Sequence, residues 1–394
     1  MTSGSDGHRK RAPFTELAHS GRDAAVSQGF VNPPVSRGST VLYPSMADLL
    51  AGKGRYTYGR RGNPSVEALS TAVAGLEQAA GVVLVPSGLA AVTTAILSAT
   101  SAGDRILVAD SVYHPTRHFC DTLLARMGVE AVYYDLLAGA GIEALIDGRT
   151  RAIYMESPGS LTFEVQDVPA IVEVARRRGL VTVVDNTWAT PLYFKPLAHG
   201  ADISVHAGTK YLSGHSDVMI GTVAAGAAAW PALKATHGAL GLCSSPDDAW
   251  LALRGLRTMG VRLAHQHRAG IEVARWLQGR PQVARVLHPA LEDDPGHALW
   301  RRDFTGASGL FAVELTPGPR EAVAAMLDGL ELFGMGYSWG GFESLAIPFD
   351  AARSRTATRW APSGPTLRIH VGLEDVSDLI ADLEAGLTRF AAAA

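Results

Sequence analysis

Two reactive side chains each follow a short apolar run: Asp185 closes Val181–Asp185, and Lys210 comes soon after Ile203–His206. Such runs read as buried strands, and ligands bind at the carboxyl edge of open α/β sheets. A carboxylate after a strand is commonly only a turn former, and most lysines are solvated surface groups, so neither residue alone indicates chemistry. The neighbours of Lys210 add weight. In His206-Ala207-Gly208-Thr209-Lys210-Tyr211, Gly208 permits close backbone approach and Thr209 offers a hydroxyl suited to phosphate, and the polar run Gly214-His215-Ser216-Asp217 follows. A third element is Val85-Pro86-Ser87-Gly88-Leu89-Ala90, where a strand breaks at Pro86 and a helix is expected from about Gly88. Free amides at a helix start bind anions.

Anion-binding amides, a carboxylate for a pyridine nitrogen and an amine for an aldehyde are together what pyridoxal 5′-phosphate requires. Tyr113 could stack on the cofactor ring, its ordinary alternative being a half-buried tyrosine. His206, His215 and Cys120 have no compact ligand spacing, so core or hydrogen-bonding roles are expected instead of metal binding.

These groups need a scaffold. From Asn63 onward, short β-branched runs alternate with longer amphipathic segments, which predicts an α/β fold with a mainly parallel sheet covered by helices. Asn63 reads as an N-cap with Pro64 at the first helical position; Leu69, Val73 and Leu76 recur at helical spacing, and Gly81 is the expected stop. Strands are expected at Val82–Val85, Arg105–Ala109, Ala131–Tyr134, Arg151–Glu156, Val181–Asp185, Ile203–His206 and Met219–Ala224. A long helix is expected over Pro246–Gln278 despite Gly255, Gly260 and Gly270, leading into a smaller α+β unit. That unit has strands at Gly309–Leu315 and Thr366–Val371 and helices near Arg320–Leu330 and Val376–Phe390. The expected division is an N-terminal segment 1–62, a cofactor-binding large domain 63–258 and a C-terminal small domain 259–394. Residues 1 to about 12 are expected to form a mobile tail. Thr15–Gly62 lacks alternation and is rich in Gly, Pro, Tyr and Arg, which fits packing on another subunit.

Composition narrows the class. The 394 residues are 47% hydrophobic, enough for a large core and at least two domains, and 35 basic against 38 acidic residues provide no strong field for nucleic acid. Two cysteines, Cys120 and Cys243, are too few for a disulfide framework, and no apolar run is long enough to span a membrane, so a cytoplasmic setting is expected. No strand is followed by the glycine fingerprint of a dinucleotide site, which weighs against a dehydrogenase.

The stretches YGRRGNPSVEAL, VPSGLAA, VVDNTWATPLYFKPLAHGADISVHAGTKYLSGHSDVMIGT, RGLRTMGVRL, GYSWGGFESL and LRIHVGLEDVSDL resemble the Cys/Met-metabolism family of pyridoxal-phosphate enzymes, from about Gly38 to Phe390. The resemblance implies the aspartate-aminotransferase-like fold, fold type I. It implies Lys210 as the Schiff-base lysine, Asp185 as the partner of the pyridine nitrogen and Tyr113 as the stacking ring. Gly88, Leu89 and Thr209 would hold the phosphate, while Tyr58 and Arg60 would reach the phosphate of a neighbouring subunit in a homotetramer built from dimers. Arg368 matches the arginine for the substrate α-carboxylate, a role suited to a planar bidentate donor, with Ser338 beside it. Tyr113 and Tyr58 would join Lys210 in moving protons.

Within the family, Trp339 of Ser338-Trp339-Gly340-Gly341 is similar to bacterial cystathionine β-lyases, as is Ala207, so cleavage of cystathionine to homocysteine, pyruvate and ammonia in methionine synthesis is the implied activity. A packing role for Trp339 is the alternative. Lys234–Leu240 departs from the pattern, with His237 or Gly238 where the best-known β-lyases carry a tyrosine. Cystathionine γ-synthase, γ-lyase, a broad cysteine-conjugate lyase and a non-catalytic pyridoxal-binding protein are the competing expectations.

Overall fold

A computed structural model describes residues 11–394, so the expected N-terminal tail lies almost wholly outside the described residues. Helices α1 (Pro13–His19) and α2 (Met46–Leu50) are the regular pieces of the N-terminal segment, which otherwise runs as loop to a short 3₁₀ turn at Gly59–Arg61. Helix α3 (Pro64–Glu77) starts as expected, the Asn63 side chain accepting from the amides of Ser65 and Val66. It ends earlier than Gly81, at Gln78, which takes the left-handed conformation with φ +58°.

The large sheet is built from β1 (Gly81–Val85), β2 (Arg105–Ala109), β3 (Glu130–Tyr134), β4 (Thr150–Glu156), β5 (Val181–Asp185), β6 (Ile203–His206) and β7 (Gly221–Ala225). Their spatial order is β1-β7-β6-β5-β4-β2-β3, and β7 runs opposite to the other six. The helices between them are α4 (Gly88–Ala99), α5 (His114–Phe119), α6 (Val168–Arg178) and α7 (Thr190–Tyr193), followed by α8 (Trp230–Ala239) after β7. Both faces are covered. Val82 and Leu84 join Leu69, Val73 and Leu76 of α3, whereas Val83 and Val85 join Val92 and Ile96 of α4. Burial on both faces explains why these strands read as continuous apolar runs and not as alternations.

Helix α9 (Pro246–Gln278) then leads to β8 (Val283–Leu287), α10 (His297–Asp303), β9 (Leu310–Leu315), α11 (Arg320–Leu327), β10 (Leu345–Phe349), β11 (Thr366–His370) and α12 (Val376–Ala393). Its glycines serve close packing: a Cβ on Gly255 would lie 2.1 Å from the Ser213 carbonyl oxygen. The small sheet is antiparallel in the order β10-β11-β9-β8, so the two strands expected from sequence are its centre and the two unexpected ones its edges. Among the described residues no helix is long and apolar enough to cross a membrane.

Candidate active site

Because β1, β4, β5 and β6 run in one direction, their carboxyl ends deliver Ser87–Gly88, Glu156, Asp185 and the turn before Lys210 to a single rim. Asp185 is buried at the end of β5. Its Oδ1 accepts from the Thr187 amide at 3.0 Å and the Thr187 hydroxyl at 2.6 Å, and its Oδ2 accepts from the Tyr154 hydroxyl at 3.3 Å. Thr187 Oγ1 in turn accepts from the Ala207 amide at 2.9 Å, tying the aspartate to the turn that carries Lys210.

On that turn, Lys210 Nζ donates to Ser338 Oγ at 2.6 Å and lies 5.1 Å from the centre of the Trp339 ring. Burial and the Arg368 guanidinium bring the amine down to about 8, with Asp185 pulling the other way. Asp185 itself is raised, burial outweighing Thr187, Tyr154 and Lys210. The acid and the amine are therefore close enough for each to alter the other's proton affinity.

The phosphate end is shaped by contact. Ser87 Oγ caps α4 by accepting from the Ala90 amide at 3.1 Å, which leaves the Gly88 and Leu89 amides at the helix start facing the rim. Gly88 is pressed against the Lys210 turn, where an added Cβ would lie 2.5 Å from Ala207 Cβ. Thr209 is placed differently from a simple anion donor: its hydroxyl donates to the Ile220 carbonyl at 3.1 Å and accepts from the Ile220 amide at 3.0 Å, so its proton joins the turn to the chain before β7.

Tyr113 lies at the same rim, its ring half exposed and its amide donating to Glu156 Oε2 at 2.7 Å. Glu156 is the register partner of Asp185 on the adjacent strand, and desolvation with the charge of Asp185 pushes it well above the usual carboxylate range. Of the two acids, Glu156 is pushed further toward its protonated form. Sequence reading missed it although β4, like β5, is an apolar run ending on an acid.

The C-terminal unit supplies the opposite wall. Arg368, buried on β11, donates to the carbonyls of Ser338 at 2.9 Å and Gly336 at 3.3 Å, while its Nε has no partner among the described residues. Ser338 has φ +82°, unusual for a residue with a side chain. Tyr58 and Arg60 are not brought to Lys210 within the chain: Arg60 donates to the Gly238 carbonyl at 3.2 Å, and the Tyr58 ring is half exposed. His237 is turned inward to the Leu84 carbonyl at 3.0 Å. His206 and Cys120 are buried in the core, and no cluster fit to hold a metal occurs among the described residues.

The model of the family described as Cys/Met metabolism PLP-dependent enzyme matches residues 14–388. The chain belongs to this family. A putative cystathionine beta-lyase of Rhizobium johnstonii is 54% identical over 383 residues, covering 96% of each chain. The cystathionine beta-lyase MetC of Escherichia coli is 43% identical over 386 residues, covering 95% of this chain and 98% of that one. Among solved structures, cystathionine gamma synthase from Xanthomonas oryzae pv. oryzae in complex with cystathionine superposes with a TM-score of 0.91 at 32% identity, covering 98% of this chain and 100% of that one.

As a member of the family the protein is a fold type I enzyme dependent on pyridoxal 5′-phosphate, a carbon–sulfur lyase acting on a small amino acid. The residues present fit that cofactor. A partly desolvated amine lies within electrostatic reach of a buried carboxylate, and a helix start with close-packed Gly88 lies against the amine's own turn.

Proposed function

We propose that this chain is a cystathionine β-lyase, cleaving the Cβ–S bond of cystathionine and consuming one water to give homocysteine, pyruvate and ammonia in methionine synthesis. The observation that carries the reading is the seat of Lys210, whose amine lies between the Ser338 hydroxyl and the Trp339 ring within electrostatic reach of Asp185 and Arg368. The names of the relatives and the Ser338-Trp339-Gly340-Gly341 stretch favour β- over γ-cleavage.

When bound, pyridoxal 5′-phosphate supplies an aldehyde that condenses with amines and a ring that accepts electrons released at the substrate Cα. Lys210 would hold it covalently, Asp185 would keep a proton on its ring nitrogen, and the Tyr113 ring would lie against its face. The Gly88 and Leu89 amides would bind its phosphate together with Tyr58 and Arg60 of a neighbouring subunit, while Thr209, whose hydroxyl and amide both donate to the Ile220 carbonyl, would brace the turn beside it. Arg368 would take the substrate α-carboxylate, for which its unpartnered Nε is available. With substrate in place, the freed Lys210 amine takes the Cα proton; the sulfur leaves with the Cβ–S electron pair and is protonated by Lys210, Tyr113 or Tyr58. Burial with Glu156 and Asp185 nearby raises the Tyr113 hydroxyl, which favours its protonated, donating form.

The same reading makes the enzyme a homotetramer, a dimer of dimers, working in the cytoplasm. Exposed Phe30, Val31, Leu42, Met46 and Leu50 in the N-terminal segment support a subunit contact, and the free thiols of Cys120 and Cys243 suit a reducing compartment. The test is to incubate purified protein with cystathionine and identify the keto acid. Pyruvate, abolished in Lys210→Ala, is expected; 2-oxobutyrate would indicate γ-cleavage, and no turnover would leave a cofactor-binding protein without this activity.

A further inference from the structure

The stretch Ser338-Trp339-Gly340-Gly341 is held in an unusual shape. Ser338 and Gly340 have φ of +82° and +85°, so Trp339 sits between two left-handed residues, one of which carries a side chain. A conformation of that kind persists only when its surroundings fix it. Three such contacts are visible: Ser338 accepts from Arg368 through its carbonyl, Gly341 accepts from Gln266 Nε2 at 2.9 Å, and the Gly340 amide donates to His370 Nε2 at 3.1 Å.

The third contact has a chemical requirement. To accept from the amide at 3.1 Å in preference to donating to the Gly341 carbonyl at 3.4 Å, Nε2 must carry a lone pair, so the ring must be neutral with its proton on Nδ1, which has no partner among the described residues. His370 is fully buried on β11, two residues after Arg368, and its ring centre lies 6.0 Å from that of Tyr211. Tyr211 follows Lys210 and lies 5.4 Å from Trp339. The loop is seated tightly here, since a Cβ on Gly340 would be 2.9 Å from the Tyr211 nitrogen. Burial lowers the imidazole to about 3, consistent with a permanently neutral acceptor.

We propose that His370 is a positioning residue for the substrate pocket: as a neutral imidazole accepting the Gly340 amide, it holds Ser338 and Trp339 against Lys210 and Arg368. This deepens the β-lyase reading and rests on it for its kinetic consequence, though not for its structural one. The hydrogen bonds of His370 go to Gly340 and Gly341 and its ring contact is with Tyr211, none of them a proposed cofactor residue. Its loss is therefore expected to appear in substrate binding, with cofactor affinity unchanged.

The experiment compares His370→Gln, His370→Asn and His370→Leu in the holoenzyme. Glutamine places an oxygen near the position of Nε2, whereas asparagine is too short and leucine has no acceptor. Two readouts are taken: hydrogen exchange of a peptide spanning 336–343, referenced to the β8 segment, and KM and kcat with cystathionine. Asparagine and leucine are expected to accelerate exchange in 336–343 alone and to raise KM about tenfold or more, with kcat changed by less than about threefold and glutamine close to the parent. Unchanged exchange and KM in both the asparagine and leucine variants would overturn the proposal, as would a glutamine variant as impaired as asparagine. Should leucine prevent folding, the glutamine and asparagine pair decides. A parent enzyme that releases no pyruvate would defeat the functional reading alone, since the exchange comparison would still test His370.

Discussion

The ionisation of Lys210 gives the sharpest test of the site. In the cofactor-free protein its amine falls from 10.5 to about 8 because burial and Arg368 penalise the charged form more than Asp185 supports it. At pH 7.5 roughly a quarter of the molecules then carry a neutral amine, against roughly one in a thousand at the ordinary value, a gain of about two-hundredfold in the reactive form. Competitive acylation of cofactor-free protein across a pH series, with the Lys210 peptide quantified by mass spectrometry, measures this fraction. Exposed Lys53 and Lys234 report on the reagent in the same tube. Labelling of Lys210 is expected to rise through a midpoint near 8. Two variants fix the cause: Arg368→Gln removes a positive neighbour and should move the midpoint up, while Asp185→Asn removes a negative one and should move it down. A parent midpoint at 10 or above, or two variants shifting in the same direction, would refute the electrostatic account of the amine.

Gly88→Ala pushes a Cβ to 2.5 Å from Ala207 and should separate α4 from the Lys210 turn, weakening cofactor binding about tenfold or more in a spectroscopic titration. Glu156→Gln keeps an acceptor for the Tyr113 amide and matches a protonated acid, so pyruvate release should stay within about threefold of the parent while Glu156→Leu loses far more. Asp110 is fully buried, paired with Arg117, and accepts from the amides of Thr356, Ala357 and Thr358. Asp110→Ala leaves Arg117 without its anion and frees that loop, and should cost about 3–5 kcal/mol of stability in denaturant unfolding.

All seven strands of the large sheet, its edges β1 and β3 included, and the two central strands of the small sheet were legible because each contains a compact apolar run, and Asp185 and Lys210 were legible because such runs end abruptly on polar groups. The edge strands β8 and β10 were not. An edge strand has one hydrogen-bonded neighbour, tolerates proline such as Pro348, and alternates weakly in burial. Strand β7 begins two residues after its expected start at Met219 because Thr209 binds both backbone groups of Ile220, drawing that residue into the turn. Glu156 ends an apolar run as Asp185 does and was overlooked, whereas His370 acts on the Gly340 amide at a distant point in the chain, a pairing that no local pattern encodes. Arg368 was identified by resemblance alone, since an arginine inside an apolar strand has no spacing signature of its own.

Helix α9 buries Leu253, Leu256, Met259 and Leu263 in the core under the large sheet, and Ala269, Val273, Ala274 and Leu277 in that of the small one. At 33 residues, about 50 Å, it is a common keel and not a tether. The expected boundary after residue 258 falls inside it, so a cut there would take Met259 and Leu263 away from the core under the large sheet. The two bodies should therefore melt together, and swapping C-terminal units between relatives would succeed only if the joint were made outside this rod.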